Sequence, residues 1–162
     1  MPSSPDLDLL NSANYLYLRE IAEPRDNSLR LVVQEAVSNR SGLVQADPPE
    51  LREILKDAWP IESSESCRSF ELSWKHYVAY LITEECVGSC GDSNDEIYTG
   101  NLFRVYTKSH FLAHLARDTG GHPNSVQHYK VICLNHLIDV ACYAPPEIRL
   151  LSELSSPQLR IH

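Results

Sequence analysis

The sequence predicts an α+β domain: a mostly antiparallel sheet of about six strands, barrel-like or strongly curved, with two helices packed on it. Three observations carry this expectation. Several segments alternate apolar and polar side chains, the pattern of half-buried strands. Two segments carry the apolar stripe of an amphipathic helix. Turn residues join neighbouring strand segments as hairpins.

The elements follow in order. Residues 1–12, "MPSSPDLDLLNS", read as a flexible arm. "NYLYLREI" and "SLRLVVQEA" make a hairpin, and "AEPRDN" between them supplies its turn. Leu29, Leu31 and Val33 share one face of the second strand, while Arg30 and Gln34 flank Val32 on the other. "DPPELREILKDAWP" is a helix. Asp47 caps it, Pro48 suits its first position, and Glu50 has capping-box spacing. Leu51, Ile54, Leu55 and Ala58 fall on one stripe, and Pro60 stops it.

"SFELSWKHYVAYLITEE" reads as one long strand in which Phe70, Leu72, Trp74, His76, Val78, Tyr80 and Ile82 share parity. Its second half is apolar on both faces, which predicts a central position in the sheet. "GNLFRVYTKS" is the next strand. "HFLAHLARDT" is a helix capped by Ser109 and stopped by Gly120 and Gly121. "QHYKVICL" and "LIDVACY" are two further strands around Asn135 and His136. Pro145 and Pro146 are expected to end the sheet, and 152–162 read as a loose tail. Neither a repeat nor a linker divides the chain, so 1–162 is expected to be a single domain of a size that buries a real core.

Composition narrows the function classes. The chain of 162 residues carries 22 acidic against 14 basic residues, a formal net charge of −8. That argues against nucleic acid as partner, since a phosphate backbone calls for Lys and Arg. It suits a basic protein partner. The apolar runs are too short for a membrane span, and the N-terminus lacks the basic and apolar regions of a secretory signal. Cys67, Cys86, Cys90, Cys133 and Cys142 are expected to be reduced thiols in a cytoplasmic protein.

Four patterns are candidates for chemistry. His110 and His114 are four apart on a helix, a spacing that chelates metal in H-E-x-x-H. Here Phe111 follows His110 where the motif has Glu, so a solvated helix face is the expectation and a metal site the alternative. Cys86 and Cys90 have neither the spacing of a redox pair nor a partner pair for zinc. Asp139 interrupts an apolar strand. It faces with Leu137 and Ala141, away from Ile138 and Val140, and needs a partner. His128, at the start of the neighbouring strand, is the first candidate, with Glu84 and Glu85 as others. His128 and Asp139 make either a structural network or a general acid–base pair. Finally, Glu84, Glu85, Asp92, Asp95 and Glu96 form an acidic stretch without Lys or Arg, a candidate docking face. The helix around Glu50, Glu53 and Asp57 is a second acidic region. No phosphate loop or nucleophile elbow is present, and no cofactor is expected.

The segments "FELSWKHYVAYLITEE", "GNLFRVYTKSHFLAHL" and "HYKVICLNHLIDVACYAPPEI" together resemble, over about residues 68–150, the small bacterial immunity proteins that neutralise polymorphic toxins. The resemblance implies a protein that binds and blocks a toxin, often a basic nuclease. The alternative is a small hydrolase or metal-dependent enzyme using the His/Asp pair.

Overall fold

The computed structural model describes residues 4–39, 59–86, 95–118 and 125–152. The fold is α+β. Its elements are helix α1 (Pro5–Ser12), strands β1 (Tyr15–Ala22), β2 (Leu29–Ser38), β3 (Ile61–Glu62), β4 (Ser69–Trp74), β5 (Tyr77–Glu84), β6 (Ile97–Thr99) and β7 (Phe103–Lys108), helix α2 (His110–Asp118), and strands β8 (Gln127–Ile132), β9 (His136–Cys142) and β10 (Glu147–Ser152). All pairings are antiparallel. One sheet runs β1-β2-β4-β10, with β3 paired to the end of β2; the other runs β5-β9-β8-β7-β6.

The two sheets pack face to face over one core. Leu16, Leu31, Val33, Phe70, Leu72 and Trp74 come from the first sheet, and Phe103, Tyr129, Val131, Ile138 and Val140 from the second. The alternation read in β2 holds: Leu29, Leu31 and Val33 are buried while Arg30, Val32 and Gln34 are half-buried on the outer face. Charge pairs tie the strands of this sheet. Arg68 grips Glu35 through two contacts of 2.7 and 2.8 Å, and Arg30 bonds both Glu20 and Glu71 at 2.6 Å.

Four expectations need correction. The long strand over 69–85 is two strands. β4 belongs to one sheet and β5 to the other, and the chain bends at Lys75–His76. The bend is pinned by Tyr77 N–H donating to Asn27 O at 2.8 Å and Cys142 Sγ–H donating to His76 O at 2.8 Å. A chain that switches sheets at a corner keeps its apolar pattern on both sides of the bend, so periodicity alone reads it as continuous. Second, among the described strands β5 is an edge strand, not a central one. Third, the sheet does not end at Pro145–Pro146: β10 follows and pairs with β4. The ten described strands therefore form two sheets rather than one of about six, and among the described residues neither closes into a barrel.

Fourth, most of the expected arm is helix α1. Ser4 Oγ accepts from Leu7 N–H, Pro5 holds the first helical position, and Leu10 is fully buried. Ser before Pro with Asp6 and Asp8 behind it is a helix start; the polar texture of the segment obscured it. The helix expected at 47–59 lies, apart from Trp59, outside the described residues, as do Cys90, Asp92 and the tail beyond 152.

Candidate functional site

Asp139 and His128 meet across the β8–β9 pair, on the face of the second sheet away from the main core. Their backbones are diagonal neighbours: Asp139 is opposite Lys130, and His128 opposite Ala141. His128 Nε2 lies 2.9 Å from Asp139 Oδ1, and Lys130 Nζ lies 3.3 Å from the same oxygen. Asp139 is 7% exposed and His128 2%. The expectation of a buried, partnered Asp139 holds, and the partner is His128 rather than Glu84 or Glu85.

The chain of contacts continues to a residue the sequence marked only as a helix cap. Ser109 Oγ lies 2.7 Å from His128 Nδ1 and accepts Leu112 N–H at 3.1 Å. One arrangement satisfies every group: Nε2–H donates to Asp139, Ser109 O–H donates to Nδ1, and the serine lone pair serves the helix. Tyr106 stacks on the imidazole at 4.3 Å, and Phe111 of α2 lies at 5.2 Å. Ser109, His128 and Asp139 form a Ser–His–Asp sequence of hydrogen bonds. The imidazole is walled by two rings, and the serine oxygen is committed to a helix N-terminus. Such a network fixes α2 to the sheet.

Helix α2 presents its apolar side inward, as its pattern predicts: Phe111, Leu112, Leu115 and Ala116 are half-buried, while His110 and His114 are exposed. The two histidines serve different carboxylates. His110 Nε2 lies 2.9 Å from Asp95, and His114 Nε2 lies 3.4 Å from Asp118. Among the described residues no three potential ligands converge on a metal position.

The acidic stretch separates into two groups. Glu96 Oε1 accepts His110 N–H at 2.8 Å, so a carboxylate sits at the N-terminus of α2, where the helix dipole favours it. Asp95 pairs with His110 and, at 3.7 Å, with Lys108. Both therefore anchor α2. Glu84 and Glu85 stand exposed at the end of β5 and take no cation among the described residues.

The strand they terminate has an open edge among the described residues. β1 is covered at its outer edge by the β8–β9 turn: Leu134 N–H donates to Leu16 O, and the Asn135 amide accepts from Leu18 N–H and donates to Leu18 O. Asn135 thus imitates a strand residue. β10 is covered by α1, whose Asp6 accepts Leu150 N–H at 3.1 Å. β6 has three residues. β5 has eight and, among the described strands, pairs only with β9. Leu81 is 50% exposed, and Val78 and Ile82 are 37% exposed. Sequence reasoning missed this edge because its apolar residues suit a buried strand equally well.

The four described cysteines, Cys67, Cys86, Cys133 and Cys142, are free thiols. Cys67, Cys133 and Cys142 are buried, and burial pushes Cys133 up to about 12, so it stays protonated and unreactive. A cleft of about 350 Å³ lies between α1 and the sheets, walled by Leu7, Phe103, Val105, Tyr129 and Ile148. No described helix is long and apolar enough to cross a membrane.

Comparison with protein-family models, curated proteins and solved structures finds no match.

Proposed function

We propose that this chain is a cytoplasmic protein-binding domain of the immunity type, which blocks a basic toxin by offering the open edge of β5 and its terminal carboxylates. One observation carries the reading: β5 is the long, uncovered edge among the described strands, and its exposed apolar side chains run directly into Glu84 and Glu85. Natural proteins protect such edges, and the other edges here are covered or short. An uncovered apolar edge suits β-strand addition by a partner. Two carboxylates without a cation beside it favour a partner strand carrying Lys or Arg, and the charge of −8 steers such a partner inward.

A hydrolase reading draws on the Ser109–His128–Asp139 sequence of contacts. It is the weaker one, because each member is already satisfied within the fold.

The test is affinity capture with the wild-type chain and a Glu84→Lys/Glu85→Lys variant. A basic protein held by the wild type, released by salt and lost by the variant supports the proposal. An identical set of proteins on both would overturn it, as would a homodimer in which β5 is already paired.

A further inference from the structure

A cationic pocket opens at one end of the first sheet, where β2 begins, β4 ends and β10 begins. It encloses about 290 Å³ and is lined by Arg25, Arg30, Lys75 and Arg149 with one carboxylate, Glu147. Arg30, Ser73 and Glu147 are register neighbours across the three strands. Four cations around one small space run against the balance of a chain with 22 acidic and 14 basic residues.

Two of the cations are compensated. Arg30 bonds Glu20 and Glu71, and Arg149 bonds Glu147 at 2.8 Å. Arg25 and Lys75 are exposed and take no carboxylate among the described residues.

Their backbones are held in place. Ser28 N–H and Ser28 Oγ–H both donate to Arg25 O, and Arg25 N–H donates back to Ser28 Oγ at 2.9 Å. Asn27 adopts a left-handed φ of 57° to close this turn, a conformation Asn tolerates. Its carbonyl then takes Tyr77 N–H, which staples the turn carrying Arg25 to the corner carrying Lys75.

The pocket wall reaches the core at Trp74. Trp74 lines the same pocket and is 1% exposed, and its indole Nε1–H is a buried donor with no partner. A buried N–H without an acceptor is rare and calls for an explanation. The groups lining the pocket include the exposed Arg25 guanidinium and Lys75 ammonium and the Ser73 hydroxyl, while the one carboxylate, Glu147, is held by Arg149.

We propose that this pocket binds the phosphate group of a small phosphomonoester. Two uncompensated cations match a group carrying about −1.5 to −2 charges at neutral pH, which a carboxylate does not. Its oxygens accept from several donors at once. The volume suits the phosphate with a small organic group, at the lower end of ligand sites.

Titration calorimetry with phenyl phosphate, inorganic phosphate, sulfate and benzoate tests this. Amide NMR of the indole N–H signals runs beside it. Phenyl phosphate should bind saturably and more tightly than the other three. The signal of Trp74, a pocket-wall residue, should shift on binding, while that of Trp59 stays. Arg25→Ala and Lys75→Ala should each weaken binding about tenfold, the scale of one charged hydrogen bond. Both side chains are exposed, so the variants should keep the fold. Absence of saturable binding, wild-type affinity in both variants, or benzoate or sulfate binding as tightly would overturn the proposal. Tighter binding of inorganic phosphate than of phenyl phosphate would overturn the ester assignment.

Discussion

Truncating Asp139 would leave His128 Nε2–H and Lys130 Nζ without their shared acceptor in a site that is 7% exposed at Asp139 and 2% at His128. Asp139→Ala is therefore expected to cost about 1–3 kcal/mol, read from denaturant midpoints. An unchanged midpoint would show that the carboxylate holds nothing together. Ser109→Ala removes both the cap of α2 and the contact with His128 Nδ1, for about 1 kcal/mol. The two substitutions share His128 as an intermediary, so the double variant should cost less than their sum. Strict additivity would mean that the serine and the aspartate act independently. The Asp139 partnership was legible in outline: a carboxylate among Leu137, Ile138 and Val140 needs a partner. Ser109 as the third member was not, because its nineteen-residue separation from His128 is closed only by packing α2 on the sheet.

Among elements, β5 and α2 contrast. Helix α2 is short, and none of its residues is fully buried. It is held by its N-terminus, through Ser109, Glu96 and the His110–Asp95 pair. Glu96→Ala together with Ser109→Ala should fray it, seen as fast amide exchange over 110–118 while the strands stay protected. Uniform protection across the molecule would place the anchor elsewhere. Beyond the bond from Tyr77 N–H to Asn27 O at its start, β5 pairs among the described strands only with β9. Leu81→Lys should leave the folding stability within about 0.5 kcal/mol, because the side chain is half exposed. It should nonetheless abolish capture of a partner that adds a strand there. Retained capture would move the docking surface away from β5. The alternation of β2 and the stripe of α2 were readable from residue spacing. The edge position of β5 was not, since an apolar run has the same appearance whether its neighbour is another strand or solvent.

For the whole molecule, charge sets the response to pH and salt. The Arg68 guanidinium bonded to Glu35 holds that carboxyl below its ordinary value of 4.5, against the opposing effect of burial. A depressed carboxyl adds stability that is full above its unfolded value and disappears as pH falls through the folded one. Thermal midpoints should thus drop below pH 4.5, and Glu35→Gln should flatten that part of the profile. A wild-type slope in the variant would assign the acid sensitivity to other carboxyls.

Residue identity alone determined the α+β class, the buried face of β2, the cap of α2 and the need of Asp139 for a partner. Each rests on spacing along one segment and on the cost of burying polar groups. Tertiary structure alone decided the division into two sheets, the edge position of β5, the docking of α1, the Ser109–His128–Asp139 contacts and the gathering of Arg25 and Lys75 in one pocket. Those features join residues far apart in sequence. Which distant segments meet is set by the corner at Lys75–His76, where a hydrogen bond from Tyr77 N–H to Asn27 O turns one apolar run into strands of two different sheets.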